Sequence, residues 1–277
     1  MPNRQPELIT SRRNPLVARL RALHQPRGRR EQGQLLLEGT HLLQEVLRLR
    51  LQPECMVATE TWLGRHGPLL AGTGLTPQPV SEPVLEAVAT TEHPDGVVLT
   101  LAAEALPRPA AAADFVLALD QLQDPGNLGT LLRTALAAGV EATWLGGGAD
   151  PWQPKVLRSS AGAALALPLQ READRAGLLP LLEGARAAGH QLVATLVEGS
   201  SAAAEAPVPY WQLDWTRPTV LLLGNEGAGL HPELAALATH RVTIPHSAAV
   251  ESLNVAVAAG PLLLERWRQQ SQRSAAP

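Results

Sequence analysis

The sequence predicts an α/β protein, with a C-terminal parallel-sheet domain preceded by a smaller α/β domain. Three observations carry this. From residue 114 onward, nearly all-apolar runs (FVLAL at 115–119, ATWL at 142–145, QLVATLV at 191–197, TVLLL at 219–223) alternate with helical patterns. Strands that lack in–out alternation belong in a sheet covered on both faces, and regular strand–helix alternation makes that sheet parallel. The chain of 277 residues is long enough for two modest domains. Between them, LPRPAAAA at 106–113 has neither helical nor strand period, and the expected boundary lies there.

In order along the chain, residues 1–30 read as a basic N-terminal arm. They hold eight arginines and the single acid Glu7, a charge of +7, while the whole chain carries −3, so residues 31–277 sum to −10. A short basic segment on an acidic body is what a phosphate-contacting extension looks like, with Arg12, Arg13, Arg29 and Arg30 as candidate contacts. Residues 31–105 read as a small domain. Leu35 to Gly39 is a strand, and Thr40 can cap a helix whose apolar positions Leu42, Leu43, Val46, Leu47 and Leu51 recur at helical spacing. Residues 56–58 form a second strand, 84–89 a helix and 96–101 a third strand. The domain spanning 114–277 then contains helices over 128–138, 155–162, 176–188 and 252–267, with a brief strand at 242–244. Gly139 is the expected C-terminal stop of the first of these helices.

Composition excludes several classes. The one cysteine, Cys55, rules out a disulfide framework or a multi-cysteine metal site and points to a cytoplasmic location. The arginine-rich N-terminus has no apolar stretch of a secretory signal, and no apolar run approaches the ~18 residues of a membrane span. No His/Cys/carboxylate cluster suggests a metal.

Three strand-to-helix junctions are dense in small and polar residues: DPGNLGTLLR at 124–133, LLLGNEGAGL at 221–230 and IPHSAAVESLNV at 244–255. In open parallel sheets, ligands bind beyond the carboxyl ends of the strands, where all three lie. In the first, Asn127 suits a helix cap. Leu128, Leu131, Leu132, Ala135 and Leu136 form an apolar stripe, and Arg133 sits about 100° off it, on the helix flank. The glycines at 224–229 do not have the spacing of a dinucleotide fingerprint, so an ordinary Rossmann enzyme is not indicated. Here glycine permits close backbone packing, expected against a cofactor. In the third, Ser252 is the expected cap of the last helix, and His246, a lone loop histidine, reads as structural.

In this order, these junctions resemble the three signature motifs of the SpoU/TrmH group of SPOUT RNA methyltransferases. The resemblance implies transfer of a methyl group from S-adenosylmethionine to a ribose 2′-hydroxyl of RNA, with Arg133 as the central catalytic residue and Asn127, Glu226, Ser252 and Asn254 around the reaction. It implies cofactor contacts at Leu223, Gly224, Ile244 and Leu253, and an RNA-phosphate contact from Arg158 in KVLRSSAGA at 155–163. A guanidinium stays protonated in proteins, so Arg133 is expected to act as a cation that orients the hydroxyl and its neighbouring phosphate rather than as a base. Ala256 stands where the family commonly has serine. The resemblance also implies a deep trefoil knot and a homodimer. More loosely, residues 9–103 are similar to the RNA-recognition domain of longer members, which favours ribosomal RNA over transfer RNA. The alternatives are a tRNA 2′-O-methyltransferase and a non-catalytic RNA-binding protein with a vestigial cofactor pocket.

Overall fold

A computed structural model describes residues 6–110, 112–196 and 206–274. Arg4 of the expected arm and Val197 of the expected strand lie outside them.

The first elements are helices α1 (Pro15–Ala22) and α2 (Pro26–Gln32). The Asn14 side chain caps α1 by accepting from the Leu16 amide at 2.9 Å. The chain continues through β1 (Gln34–Glu38), α3 (Thr40–Arg48), β2 (Cys55–Thr59), α4 (Glu60–His66), β3 (Gln78–Val80), α5 (Glu82–Val88) and β4 (Val97–Ala102). The four strands form a sheet in the order β1-β4-β2-β3. Val17, Leu20 and Leu23 share a core with Leu36, Val57, Val80, Leu85 and Val98. Residues 14–30 are therefore no free arm. Val17, Leu20 and Leu23 are buried in the sheet domain, and Arg12, Arg13, Arg19, Arg21, Arg27 and Arg30 line the outside. Gly28 is required in this packing: a Cβ there would collide with the Ala22 carbonyl.

Next come β5 (Phe115–Asp120), α6 (Pro125–Ala137) and β6 (Ala142–Gly146), then α7 (Pro154–Ser159) and α8 (Ala163–Ala166). The last stretch is β7 (Leu169–Glu172), α9 (Leu178–Ala187), β8 (Gln191–Thr195), β9 (Val208–Pro209), β10 (Thr219–Leu223), α10 (Pro232–Leu237), β11 (His240–Thr243) and α11 (Val255–Ser274). The chain divides into two compact units, Met1–Leu106 with Pro151–Ala166, and Pro107–Asp150 with Leu167–Pro277. The division falls at the Pro/Ala-rich stretch, but the excursion carrying α7 and α8 groups with the first unit, not with the domain expected over 114–277.

The second unit is a seven-stranded sheet in the order β7-β6-β5-β10-β8-β11-β9, and every described pair is parallel. Its central strands β6, β5, β10 and β8 are buried on both faces. Val116, Ala118, Leu192, Ala194, Val220 and Leu222 share a core with α9 and α10, while α11 packs along α6. Arg266 of α11 is buried: its guanidinium lies 4.8 Å from the Phe115 ring centroid and donates to the carbonyls of Trp215 and Arg217 at 2.9 and 2.6 Å. That satisfies an otherwise costly buried cation.

Two caps differ from expectation. Asp124, not Asn127, caps α6, accepting from the Asn127 amide at 2.7 Å. Asn254, not Ser252, caps α11, accepting from the amides of Ala256 and Val257 at 2.9 and 3.3 Å, so the helix begins three residues later than expected. In both motifs a second residue of equal capping ability stood within three positions, and propensity could not rank the two.

Candidate active site

The register between β5 and β10 pairs Leu119 with Leu223, which sets the turn after β10 beside the turn that opens α6. The turn after β10 is closed on itself. Asn225 and Gly229 exchange backbone hydrogen bonds at 3.0 and 2.9 Å, and the Asn225 carboxamide oxygen accepts from the amides of Gly227 and Ala228. Its nitrogen donates to the Gln121 carbonyl at 2.9 Å, tying the turn to a residue held at φ +51° directly after β5. A non-glycine residue in that left-handed conformation is sustained by surrounding structure. Gly224 is also needed within its own turn, where a Cβ would overlap the Gly229–Leu230 backbone.

Glu226 braces the two turns. It accepts from the backbone amides of Gln123 and Asp124 at 3.0 and 2.9 Å and from Asn127 Nδ2 at 3.3 Å. Desolvation pushes its carboxyl pKa up, but the hydrogen bonds from the Gln123 and Asp124 amides and from Asn127 outweigh it and hold the pKa below the ordinary value. Glu226 is thus held in its ionised form between the two turns. Asn127 Oδ1 in turn accepts from Asn254 Nδ2 at 3.0 Å. A carboxylate only accepts, which fixes the amide orientation of Asn127. The helix-capping oxygen of Asn254 fixes the other.

Around this relay lies a cavity of about 330 Å³, within the range of small-ligand sites. Leu223, Gly224, Ile244 and Leu253, the predicted cofactor contacts, all line it, as do Asn127, Glu226, Ser252 and Asn254. Thr195, Leu196 and His246 also line it and are not among the residues expected from sequence. The first two are at the carboxyl end of β8, where the strand-end rule could have found them. Ala256 is buried behind the α11 cap. The apolar walls suit a nucleoside.

Arg133 is not brought to this wall. It is exposed on α6, six residues beyond Asn127, about 9 Å along the helix and about 120° around it. Two predicted RNA contacts need correction. Arg29 is buried and donates to the carbonyls of Leu23 and His24 at 2.9 and 3.0 Å, so its charge is spent holding the α1–α2 connection. Arg158 belongs to the first unit, where its Nη1 donates to Thr90 Oγ1 at 2.6 Å and lies 3.6 Å from the buried Glu38 carboxylate. Arg12 is exposed but donates to the Pro83 carbonyl and Glu86, whereas Arg13 and Arg30 are exposed. Among the described residues no group of His, Cys, Asp or Glu is placed to hold a metal, and no helix is long and apolar enough to cross a membrane.

The SpoU rRNA methylase family profile matches residues 114–264, and that of the MRM3-like substrate binding domain matches residues 14–99. The chain is 46% identical to an uncharacterized tRNA/rRNA methyltransferase of Synechocystis over 95% of its own length and 94% of that protein. It is 34% identical to the 23S rRNA (guanosine(2553)-2′-O)-methyltransferase RlmP of Bacillus subtilis, covering 92% and 97%. An rRNA methyltransferase from Sinorhizobium meliloti, solved with S-adenosylmethionine bound, superimposes with a TM-score of 0.78 at 33% identity, covering 95% of this chain and 98% of that one.

Proposed function

Because the chain belongs to the SpoU rRNA methylase family, and S-adenosylmethionine is its cofactor, we propose that it methylates a ribose 2′-hydroxyl of ribosomal RNA and that the cavity beyond β8, β10 and β11 holds the cofactor. The observation that carries this reading is the Glu226–Asn127–Asn254 relay, which joins the three junctions around one pocket. The cofactor supplies an electrophilic methyl group. The chain's residues supply position and exclusion of water. Leu223, Ile244 and Leu253 enclose the nucleoside, Asn127 and Asn254 hold fixed polar edges toward the acceptor ribose, and Ser252 offers a further hydroxyl at the pocket rim. Arg133 acts as a cation on the RNA backbone next to the reacting ribose. The first unit, with Arg12, Arg13 and Arg30 outward, recognises folded RNA through phosphate contacts. Such a substrate implies a cytoplasmic enzyme.

We further propose a homodimer and a trefoil knot. Val257, Leu264 and Trp267 form an apolar stripe on α11 that is 64%, 48% and 57% exposed, which supports a second copy covering it. The stripe is on the helix that packs along α6, the helix carrying Arg133. The strand order, with β10 between β5 and β8 and β11 beyond β8, is the observation favouring the knot.

The test is transfer of labelled methyl to protein-free ribosomal RNA and to transfer RNA in parallel, with nucleoside digestion. Label in a 2′-O-methyl nucleoside from ribosomal RNA, abolished in Arg133→Ala with cofactor affinity retained, is the expected result. Label in base methyl groups, or in transfer RNA alone, overturns it.

A further inference from the structure

Among the described residues, only Glu226 and His246 of the side chains lining the cavity are ionisable. Glu226 is committed to the two turns, with its oxygens occupied by Gln123, Asp124 and Asn127. His246 is different. Its Nδ1 is 2.7 Å from the Ile244 carbonyl oxygen. A carbonyl only accepts, so Nδ1 carries the hydrogen and donates it. That tautomer leaves Nε2 as the open atom of an exposed imidazole on the pocket rim, with no hydrogen bond among the described residues. Among the described residues, the other elements around the cavity bring no competing charge to its wall. β8 contributes Thr195 and Leu196, and α11 contributes Val255 and Ala258. His240 and Arg241 of β11 are turned to Thr239 and to the Ala235 carbonyl, and Glu251, on the loop of His246, is exposed outside the wall.

We propose that His246 is a specificity-determining residue that reads the charge of the bound cofactor, favouring the sulfonium substrate over the thioether product only while the imidazole is neutral. The inference rests on this cavity being the cofactor pocket. S-adenosylmethionine and S-adenosylhomocysteine share an adenosine, an ammonium and a carboxylate. They differ by a methyl group and the positive charge on sulfur. Every charge effect common to both cancels in the ratio of their affinities, which leaves the interaction of the sulfonium with whatever charge faces it. A neutral Nε2 lone pair is compatible with that cation, and an imidazolium repels it. In general, two unit charges roughly 6 Å apart retain about a threefold effect even under water-like screening. Acidification should therefore raise the grip of the product relative to the substrate and increase product inhibition.

The experiment is calorimetric titration of the protein with each ligand at about pH 8 and about pH 5.5. The expected result is that the ratio Kd(S-adenosylmethionine)/Kd(S-adenosylhomocysteine) rises about threefold or more at the lower pH in wild type and stays flat in His246→Gln. His246→Met serves as a second neutral replacement should the glutamine variant fail to fold. A purely structural role for His246 would move both affinities together and leave the ratio unchanged. A flat ratio in wild type, or a pH-dependent ratio that survives in both variants, overturns the proposal. Binding of neither ligand to wild type overturns the pocket assignment itself, and this inference with it.

Discussion

Asn254 Nδ2 donates to Asn127 Oδ1 at 3.0 Å, joining two residues 127 positions apart. This bond connects the start of α6 to the start of α11, and through Asn127 Nδ2 it reaches Glu226 at 3.3 Å. All three junctions thereby share one hydrogen-bonded geometry, and neither asparagine can flip its carboxamide without losing a partner.

The bond should show up as coupling. Asn127→Ala and Asn254→Ala are each expected to lower stability by about 1–2 kcal/mol, the second partly through loss of the α11 cap. The double variant should cost less than the sum by about 0.5–1.5 kcal/mol. Chemical denaturation of the four proteins measures this, and strict additivity would exclude the bond.

Glu226 gives a pH dependence of definite sign. Its folded pKa lies below the ordinary carboxylate value of 4.5. It therefore contributes stability that is fully present above the unfolded pKa and is lost as pH falls through the folded one. Because the residue is exposed, the effect is modest. In Glu226→Gln the thermal midpoint should fall at neutral pH and depend less on pH in the acidic range below about 4.5. Midpoints recorded from pH 7 downward test both parts.

Gly224→Ala should destroy cofactor binding while leaving the first unit folded. The added methyl would occupy the same space as the Gly229–Leu230 backbone, which has no flexible side chain to give way. Displacing the turn would also pull Glu226 from Gln123 and Asp124. An overpacking cost of about 1–3 kcal/mol or more is expected. Ligand titration, with circular dichroism to confirm folding, decides it.

Arg158 should behave as a structural residue. The buried Glu38 carboxylate accepts from the Thr90 amide at 2.8 Å and its hydroxyl at 2.7 Å, and from the Thr91 hydroxyl, with Arg158 alongside. Burial pushes the Glu38 pKa up, but the bonds from Thr91 and Thr90 and the Arg158 charge bring it below the ordinary carboxylate value. Arg158→Ala is expected to lower stability by about 1–3 kcal/mol. It should not change the salt dependence of RNA binding. Arg13→Ala or Arg30→Ala should instead reduce that slope by about one for each phosphate left unneutralised, at unchanged stability. Filter binding across a salt series, with thermal denaturation, separates the two behaviours.

Local signals along the chain were enough for the parallel sheet and the three junctions that line the pocket. Apolar strands such as TVLLL announce burial on both faces, and Gly224, Asn127 and Asn254 stand where strands end. Short elements such as β3 (QPV) and β7 (LQRE) were illegible, because three or four residues cannot establish a period. What each polar side chain does was settled by packing. The register of β10 on β5 gave Glu226 its partners about a hundred residues away, and so made it a strut. Arg29 and Arg158 look like any other arginine in sequence. Folding buried the first against carbonyls, aimed the second at Glu38 and carried the 151–166 excursion into the first unit. Propensity and spacing report on neighbours along the chain, whereas hydrogen-bond partners are assigned by which strands and helices come to lie side by side.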